Sequence, residues 1–545
     1  MPGISYSLKP ILYNLFSNRK ISFNSLKSFS MKPRCSRLIL LSLICFLLLF
    51  SSCATLPEYV PQEPSTAWQS PEETTAGQIF ADDIAAHPGK SGVVLLPNGR
   101  DALLVRNAMA GIAERTLDIQ YYIWKGDTVG LLLLQRLVEA ADRGVRVRVL
   151  LDDQTVKAKD LSLASFSGHP NLEIRLFNPL AGRKKGPITF LADFSRVNHR
   201  MHNKLFVMDN TIAVIGGRNI ADRYFGVSSK ANTRDLDVAV VGPVVQELSG
   251  TFDMFWNSQW AYPVESLAEE IPGSGEMEDL KKQLSEEVTA GITTLPWSVD
   301  IDSPAMYSKL EELRPEFTWA PMEVLYDTPD KVQSSEARIV DATRGLMDGL
   351  KRELLMEVAY FVPGKEGVAG AKELTERGVR VKVLTNSLAS NNVLAAHAGY
   401  AKYRVPMLEA GAEMYEYRPD AADRKDWSPA AANAPTQMHT KVFVIDREMA
   451  FIGTFNLDPR SKVINTEIGV LIRHPGFAEQ TAAFIERGME PGNAYRVLLD
   501  DESREARWIR RDAEKTRTYR YDPKTGFFRN LGVAFIRLFP IESQL

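Results

Sequence analysis

Cysteine is scarce in this chain. Its 545 residues hold three, Cys35, Cys45 and Cys53, and none follows position 53. The body therefore cannot be braced by disulfides. An excess of charge of one sign is missing too. Lysine and arginine number 65 against 68 aspartates and glutamates, a net charge of −3. A general nucleic-acid binder is usually basic, so no nucleic-acid partner is expected. Apolar runs are short: residues 38–50 form the main one, and it is too brief for an ordinary membrane span. There is no clustering of Asp, Glu and His beyond the motifs below, so neither a metal nor another cofactor is expected. The length leaves room for two sizeable cores with appendages.

Histidine is also sparse, and this scarcity makes its placement informative. Of seven histidines, two sit in the same frame. His202 has Lys204 at +2 and Asp209 at +7, then Gly216 and Asn219. His439 has Lys441, Asp446, Gly453 and Asn456 at matching distances. Composition alone would yield His with Lys at +2 and Asp at +7 about once in ~300 histidines. His87, His169, His199, His397 and His474 lack the frame.

The runs after His202 and His439, residues 204–208 and 441–445, are apolar and β-prone. Residues two apart on a strand share a face, so each histidine projects with its lysine. Turn-like pairs follow, Asp209-Asn210 and Asp446-Arg447, and then return strands, so each frame predicts a hairpin. The aspartates belong to the catalytic frame as supporting rather than reacting groups. Two imidazoles, two ammonium groups and the amides of Asn219 and Asn456 suit a phosphodiester. Lys204, Lys441 and the two asparagines can hold its oxygens and stabilise charge on a five-coordinate phosphorus. One histidine can attack phosphorus while the other protonates the leaving oxygen. We assign His202 as nucleophile and His439 as general acid and base, although the near-symmetry leaves the reverse open.

A reacting imidazole needs its second nitrogen held by an acceptor. Downstream of each frame an acid opens another apolar run: Asp235 in the first half, with Asp237 as rival, and Glu467 in the second. The repeat reaches further. Residues 143–150 (Arg-Gly-Val-Arg-Val-Arg-Val-Leu) recur at 377–384 with Lys382 as the one change, each after a helical run. Strand–helix–strand order predicts right-handed βαβ units and mainly parallel sheets. The expected fold is α/β: two halves related by a pseudo-twofold, with the active site at their interface.

The expected organisation starts with a signal peptide over residues 1–52, the natural start being Met31. Small residues before Cys53 mark that cysteine for lipid attachment. A tether over residues 53–95 follows, then a first domain at 96–262. A linker with an acidic helix spans 263–330, the second domain 331–490, and a carboxyl extension 491–545. In that extension residues 527–539 are apolar and aromatic with Arg529 and Arg537 interspersed, which predicts a helix lying in a bilayer surface. A monomer is expected, lipid-anchored in a bacterial envelope and facing the periplasm.

The duplicated His-x-Lys-x4-Asp frame with trailing Gly and Asn resembles the phospholipase D superfamily. Residues 100–104, 118–124, 216–220, 397–404 and 456–461 are similar to bacterial cardiolipin synthases, especially the C type. The resemblance covers roughly residues 96–545. It implies two phospholipase D-like domains and transfer of a phosphatidyl group through a phosphohistidine to a phosphatidylglycerol hydroxyl, with phospholipids as substrates. A hydrolytic phospholipase D, or a periplasmic phosphodiesterase or nuclease, would use the same residues. Gly217 and Thr454 stand where many members carry serine, so a hydroxyl contact to phosphate is expected to be missing in the first half.

Overall fold

The computed structural model describes residues 61–153, 166, 168–180, 194–267, 274–297, 303–334, 336–427, 434–512, 515–539 and 544. The chain divides into residues 1–54 and a unit of residues 55–545, and everything below concerns the second. The segment expected to be a signal peptide, with Met31 and Cys53, lies outside the described residues.

Each half builds one mixed sheet. In the first, the order is Thr318–Ala320, Ser91–Leu96, Asp237–Val241, Ile212–Gly216, Leu205–Met208, Thr116–Tyr121, Arg146–Asp152, Leu172–Phe177 and Ala261–Pro263. In the second it is Met322–Tyr326, Ile468–Arg473, Met449–Gly453, Lys441–Ile445, Glu353–Val358, Arg380–Asn386, Glu413–Tyr417, Ala494–Leu499, Ala506–Arg511 and Thr516–Tyr519. From Ser91–Leu96 and Met322–Tyr326 onward, eight strands correspond one to one, with the same parallel or antiparallel sense at every pairing.

The sheets are not mainly parallel. Parallel pairing is confined to three central strands in each, Thr116–Tyr121 to Leu172–Phe177 and Glu353–Val358 to Glu413–Tyr417. The remaining pairs in both sheets are antiparallel, the motif hairpins among them. Asp209 and Asn210 have φ of 52° and 51°, and Asp446 and Arg447 of 53° and 56°. Two successive left-handed residues make the turn whose twist matches a hairpin, and Asp and Asn tolerate it best.

Several boundaries move. Thr75–Ala86, expected in the tether, is a helix capped by the Thr74 side chain, and its Phe80 is buried in the first core. Ser91–Leu96 is a strand of the first sheet. The acidic linker helix exists as Ser274–Ile292 and packs on the first half, where Lys281 pairs with Asp142 at 2.7 Å. Residues 318–326 are not free linker either. They cross from one sheet to the other, pairing first with Ser91–Val93 and then with Ile468–Ile472. Past position 490, three strands complete the second sheet.

One core joins the halves. Leu205, Val207, Ile215 and Val238 pack into the same cluster as Val442, Val444, Ile452 and Ile468, with Phe252 and Phe477 from the helices Pro243–Trp256 and Pro475–Met489. A buried ionic cluster crosses the same boundary. Arg234 donates to Glu357 at 2.9 and 3.2 Å and to Asp423 at 2.7 Å. Replacing it by Met would leave two buried carboxylates unpaired. We expect Arg234→Met to cost about 3–5 kcal/mol, read as a lower denaturant midpoint.

Candidate active site

A two-stranded parallel ladder, Asn232–Arg234 with Thr436–Met438, links the halves, with Arg234 opposite Met438. The next residues on each side are Asp235 and His439, which this register sets together. On the other side of the pseudo-twofold, Met201 bridges Thr466, which sets His202 beside Glu467. The backbone N–H of His202 donates to the Thr466 carbonyl at 3.0 Å, and that of His439 to the Arg234 carbonyl at 2.8 Å.

The imidazoles are therefore held crosswise. His202 Nδ1 lies 2.8 Å from Glu467 of the second half, and His439 Nδ1 lies 2.8 Å from Asp235 of the first. Neither acid serves the histidine of its own frame, as their order along the chain suggested. With an ionised carboxylate as acceptor, Nδ1 carries the hydrogen and Nε2 is left to face a substrate. The rival Asp237 binds Arg106 at 2.7 Å and the Arg218 backbone N–H at 3.1 Å instead.

Lys204 and Lys441 are buried with the imidazoles and donate to the carbonyls of His202 and His439 respectively. Asn219 accepts from the Ile123 N–H at 3.1 Å through its carbonyl, which leaves its amide nitrogen as the donor. Asn456 is buried at the corresponding place. Asp209 and Asp446 stand apart. Each lies at the far end of a hairpin strand, five residues past its lysine, about 16 Å along the strand from that lysine at ~3.3 Å per residue. Asp209 accepts backbone N–H groups of Glu114, Arg115 and Thr116 at 2.7–2.9 Å, and Asp446 those of Lys351, Arg352 and Glu353 at 2.7–3.0 Å. They pin the hairpin to the central strand and do not touch the imidazoles.

The Thr454 hydroxyl donates to Glu467 at 2.5 Å, so the asymmetry with Gly217 concerns a carboxylate rather than a phosphate. A Cβ at Gly217 would sit 2.0 Å from Asp235 Oδ1, so a larger residue there would have to displace the Asp235 carboxylate. Sequence reasoning missed two tyrosines. Tyr122 and Tyr224 set their rings edge-on to His202 and His439, each at 5.1 Å and 69°. Tyr122 lies within the family-like string 118–124, whereas Tyr224 is in a short loop with no pattern to mark it.

Burial holds both imidazoles well below the usual histidine range, and the ammonium groups of Lys204 and Lys441 add to it. Burial lowers Lys204 to about 7 and Lys441 to about 8, while pushing Glu467 up to about 7. Burial likewise raises Asp235. An anion between the lysines would favour their charged forms. The consequence for pH has a definite sign. A lysine with a lowered value is charged below that value and neutral above it. We expect kcat/KM, which reports the free enzyme, to fall as pH rises through 7–8. Under saturating substrate, kcat should hold to higher pH, because bound phosphate keeps the lysines protonated. Among the described residues no group of three or more His, Cys, Asp or Glu could hold a metal.

The family described as cardiolipin synthase, phospholipase D-like domain, matches this chain twice, at residues 108–256 and 346–489. Cardiolipin synthase C of Escherichia coli is 36% identical over 465 residues, covering 84% of this chain and 97% of its own length. The chain belongs to this family. More distant members include a cardiolipin synthase of Clostridium perfringens, 24% identical over 66% of this chain and 62% of its own length. The fold is shared with the crystal structure of phosphatidylserine synthase from Haemophilus influenzae, at 12% identity and a TM-score of 0.54, covering 86% of this chain and 100% of that one. The pseudo-twofold in the phospholipase D-like halves, and the site between them, thus match the fold class that the repeated frame predicts.

Proposed function

We propose that this chain is a phosphatidyltransferase that makes cardiolipin from phosphatidylglycerol and a second phospholipid. The observation that carries the reading is the crossed pair of histidine–carboxylate contacts, which draws both frames into one buried site. His202 Nε2 attacks the donor phosphorus, and the departing alkoxide takes a proton from the His439 ring, which the bound phosphate anion and the Asp235 carboxylate bring to its imidazolium form before attack. A phosphatidyl-histidine results. The glycerol hydroxyl of phosphatidylglycerol then gives its proton to the now neutral His439 and attacks the same phosphorus, breaking the P–N bond. Lys204, Lys441, Asn219 and Asn456 hold the non-bridging oxygens throughout. Asp235 and Glu467 orient the rings and stabilise imidazolium as it forms.

A lipid substrate has to be met at a surface. Among the described residues no helix is long and apolar enough to cross a membrane. The helix Phe527–Ile536 instead turns one face to solvent: Phe528 is 85% exposed, Phe527 74% and Phe535 59%. Its opposite face sets Val533 against Leu388 and Ala398. Together with a lipid on Cys53, this face would hold the enzyme on the periplasmic surface of a bacterial membrane.

The test supplies purified protein with phosphatidylglycerol, with and without phosphatidylethanolamine, and separately with single-stranded DNA, all in chelator. Cardiolipin formed at an undiminished rate supports the reading. Phosphatidic acid alone would mean that water is the acceptor, and cut DNA would mean a nuclease.

A further inference from the structure

Over the outer face of the second sheet lies a cavity of about 380 Å³. The strand residues Leu354, Met356, Val381 and Phe443 form its floor, and the helices Arg338–Asp348 and Gly364–Glu376 its roof. The volume falls in the range of small-molecule sites, which are likewise mostly apolar with few polar groups.

The pseudo-twofold explains the space. The Arg-Gly turns at 143 and 377 end equivalent helices, an offset of 234 residues (377 − 143). At that offset Leu133, Arg136 and Leu137 of the first half correspond to Gly367, Gly370 and Ala371 of the second. Leu133 and Leu137 are fully buried, whereas Gly367, Gly370 and Ala371 all line the cavity. Trp124 and Phe361 are likewise equivalent, each bridging the residue after an active-site asparagine, Ile220 and Leu457. The indole fills its pocket and donates to the Gly130 carbonyl at 3.2 Å, while the smaller phenyl does not. The linker helices Ser274–Ile292 and Ser303–Leu313 pack into the first half's outer core, adding Leu284, Val288 and Leu310. So the same layer is closed in one half and hollow in the other.

The cavity also adjoins the site. Phe455 and Leu457 line it, so part of its wall is the backbone that carries Asn456. Phe361 lines it next to Tyr360, whose ring lies 6.0 Å from Lys441 Nζ. At its edge Lys462 is half-buried. The ammonium donates to the Pro363 carbonyl at 3.4 Å, and among the described residues no carboxylate lies within 4.0 Å of it. Arg344 and Arg377, also at the edge, are each paired with a carboxylate at 3.7 Å.

We propose that this cavity binds one acyl chain of an anionic phospholipid whose headgroup sits at Lys462. An apolar chamber edged by a half-buried cation, which Glu366 and Asp458 influence but with which neither forms an ion pair, matches an acyl chain joined to a phosphate. The proposal takes the lipid's class from the phosphatidyltransferase reading, but its test does not need turnover. The full chain is photolabelled in detergent micelles with phosphatidylglycerol bearing a diazirine at one chain end. A fatty acid with the same diazirine forms the second arm. The wild type is compared with Gly370→Leu, which adds bulk at a residue that lines the cavity and where an added Cβ meets nothing within 4 Å.

Label from phosphatidylglycerol should fall on peptides spanning 340–381, and Gly370→Leu should reduce it at least fivefold while the helix Phe527–Ile536 labels as before. Lys462→Ala should weaken phosphatidylglycerol labelling severalfold. Equal labelling by the fatty acid would show that an anionic head and an apolar chain suffice, and supports the same site. If Gly370→Leu merely raises the melting temperature and leaves the label pattern unchanged, the cavity is a packing gap and the proposal falls. If labelling behaves as expected but no cardiolipin forms, the cavity proposal stands and the reaction assignment fails.

Discussion

His202→Ala and His439→Ala each reduce cardiolipin formation to background, a loss of at least about 10³-fold. Removing either imidazole takes away a bond-forming or proton-transferring group, and the other cannot substitute, because its Nδ1 is fixed by a carboxylate 2.8 Å away. The two losses should not add in the double variant, since the rings act in one sequence of steps. They differ in what accumulates. With His202 as nucleophile, His202→Ala forms no phosphoenzyme, whereas His439→Ala still forms it from a donor with a good leaving group and fails to discharge it. Single turnovers with phosphate-labelled lipid, quenched in alkaline detergent that spares the P–N bond, read this directly. Protein-bound label in His202→Ala but not in His439→Ala would reverse the assignment.

The crossed contacts give the second large effect. Glu467→Gln and Asp235→Asn keep the shape of each carboxyl group and remove its charge, and each should cost about 10²–10⁴ in kcat. The crossing predicts which step each one damages. Glu467 holds His202, so Glu467→Gln should depress phosphoenzyme formation. Asp235 holds His439, so Asp235→Asn should let the phosphoenzyme form from an activated donor and slow its discharge. The opposite pairing of variant and step would mean that each acid serves the histidine of its own frame. Folding is controlled separately, since Arg234→Met is expected to lower stability without removing a reacting group.

The frames were legible in sequence because the histidines are few and the spacing is repeated. The hairpins followed from apolar runs broken by Asp-Asn and Asp-Arg, and the turn dihedrals bear this out. The crossing was not legible. It depends on two parallel contacts between residues more than 200 apart, Arg234 with Met438 and Met201 with Thr466, and local spacing carries no trace of them. The parallel sheets were over-read for a related reason. Strand–helix–strand units do occur in each half, but they supply only the central three strands, and the motif hairpins bring in antiparallel neighbours.

Composition misled at the edges. Residues 494–519 fall in the expected carboxyl extension, yet Ala506–Arg511 and Thr516–Tyr519 are strands at the edge of the second sheet, where charged side chains are the rule. In the expected tether Thr74 is a helix cap, and Ala76 and Phe80 form a short apolar stripe at helical spacing. The residues that hollow out the second half, Gly367, Gly370 and Ala371, draw attention only when set against Leu133, Arg136 and Leu137.

A shared site requires that both rings reach one phosphorus. Crystals of the full chain soaked with vanadate would measure it. We expect a single vanadate with Nε2 of His202 and Nε2 of His439 on opposite sides, one bonded to the metal centre of the oxyanion and the other within about 3 Å of an apical oxygen. Lys204 and Lys441 should contact its equatorial oxygens. Vanadate bound to one imidazole, with the other ring turned away and out of reach, would contradict the shared site and with it the reaction.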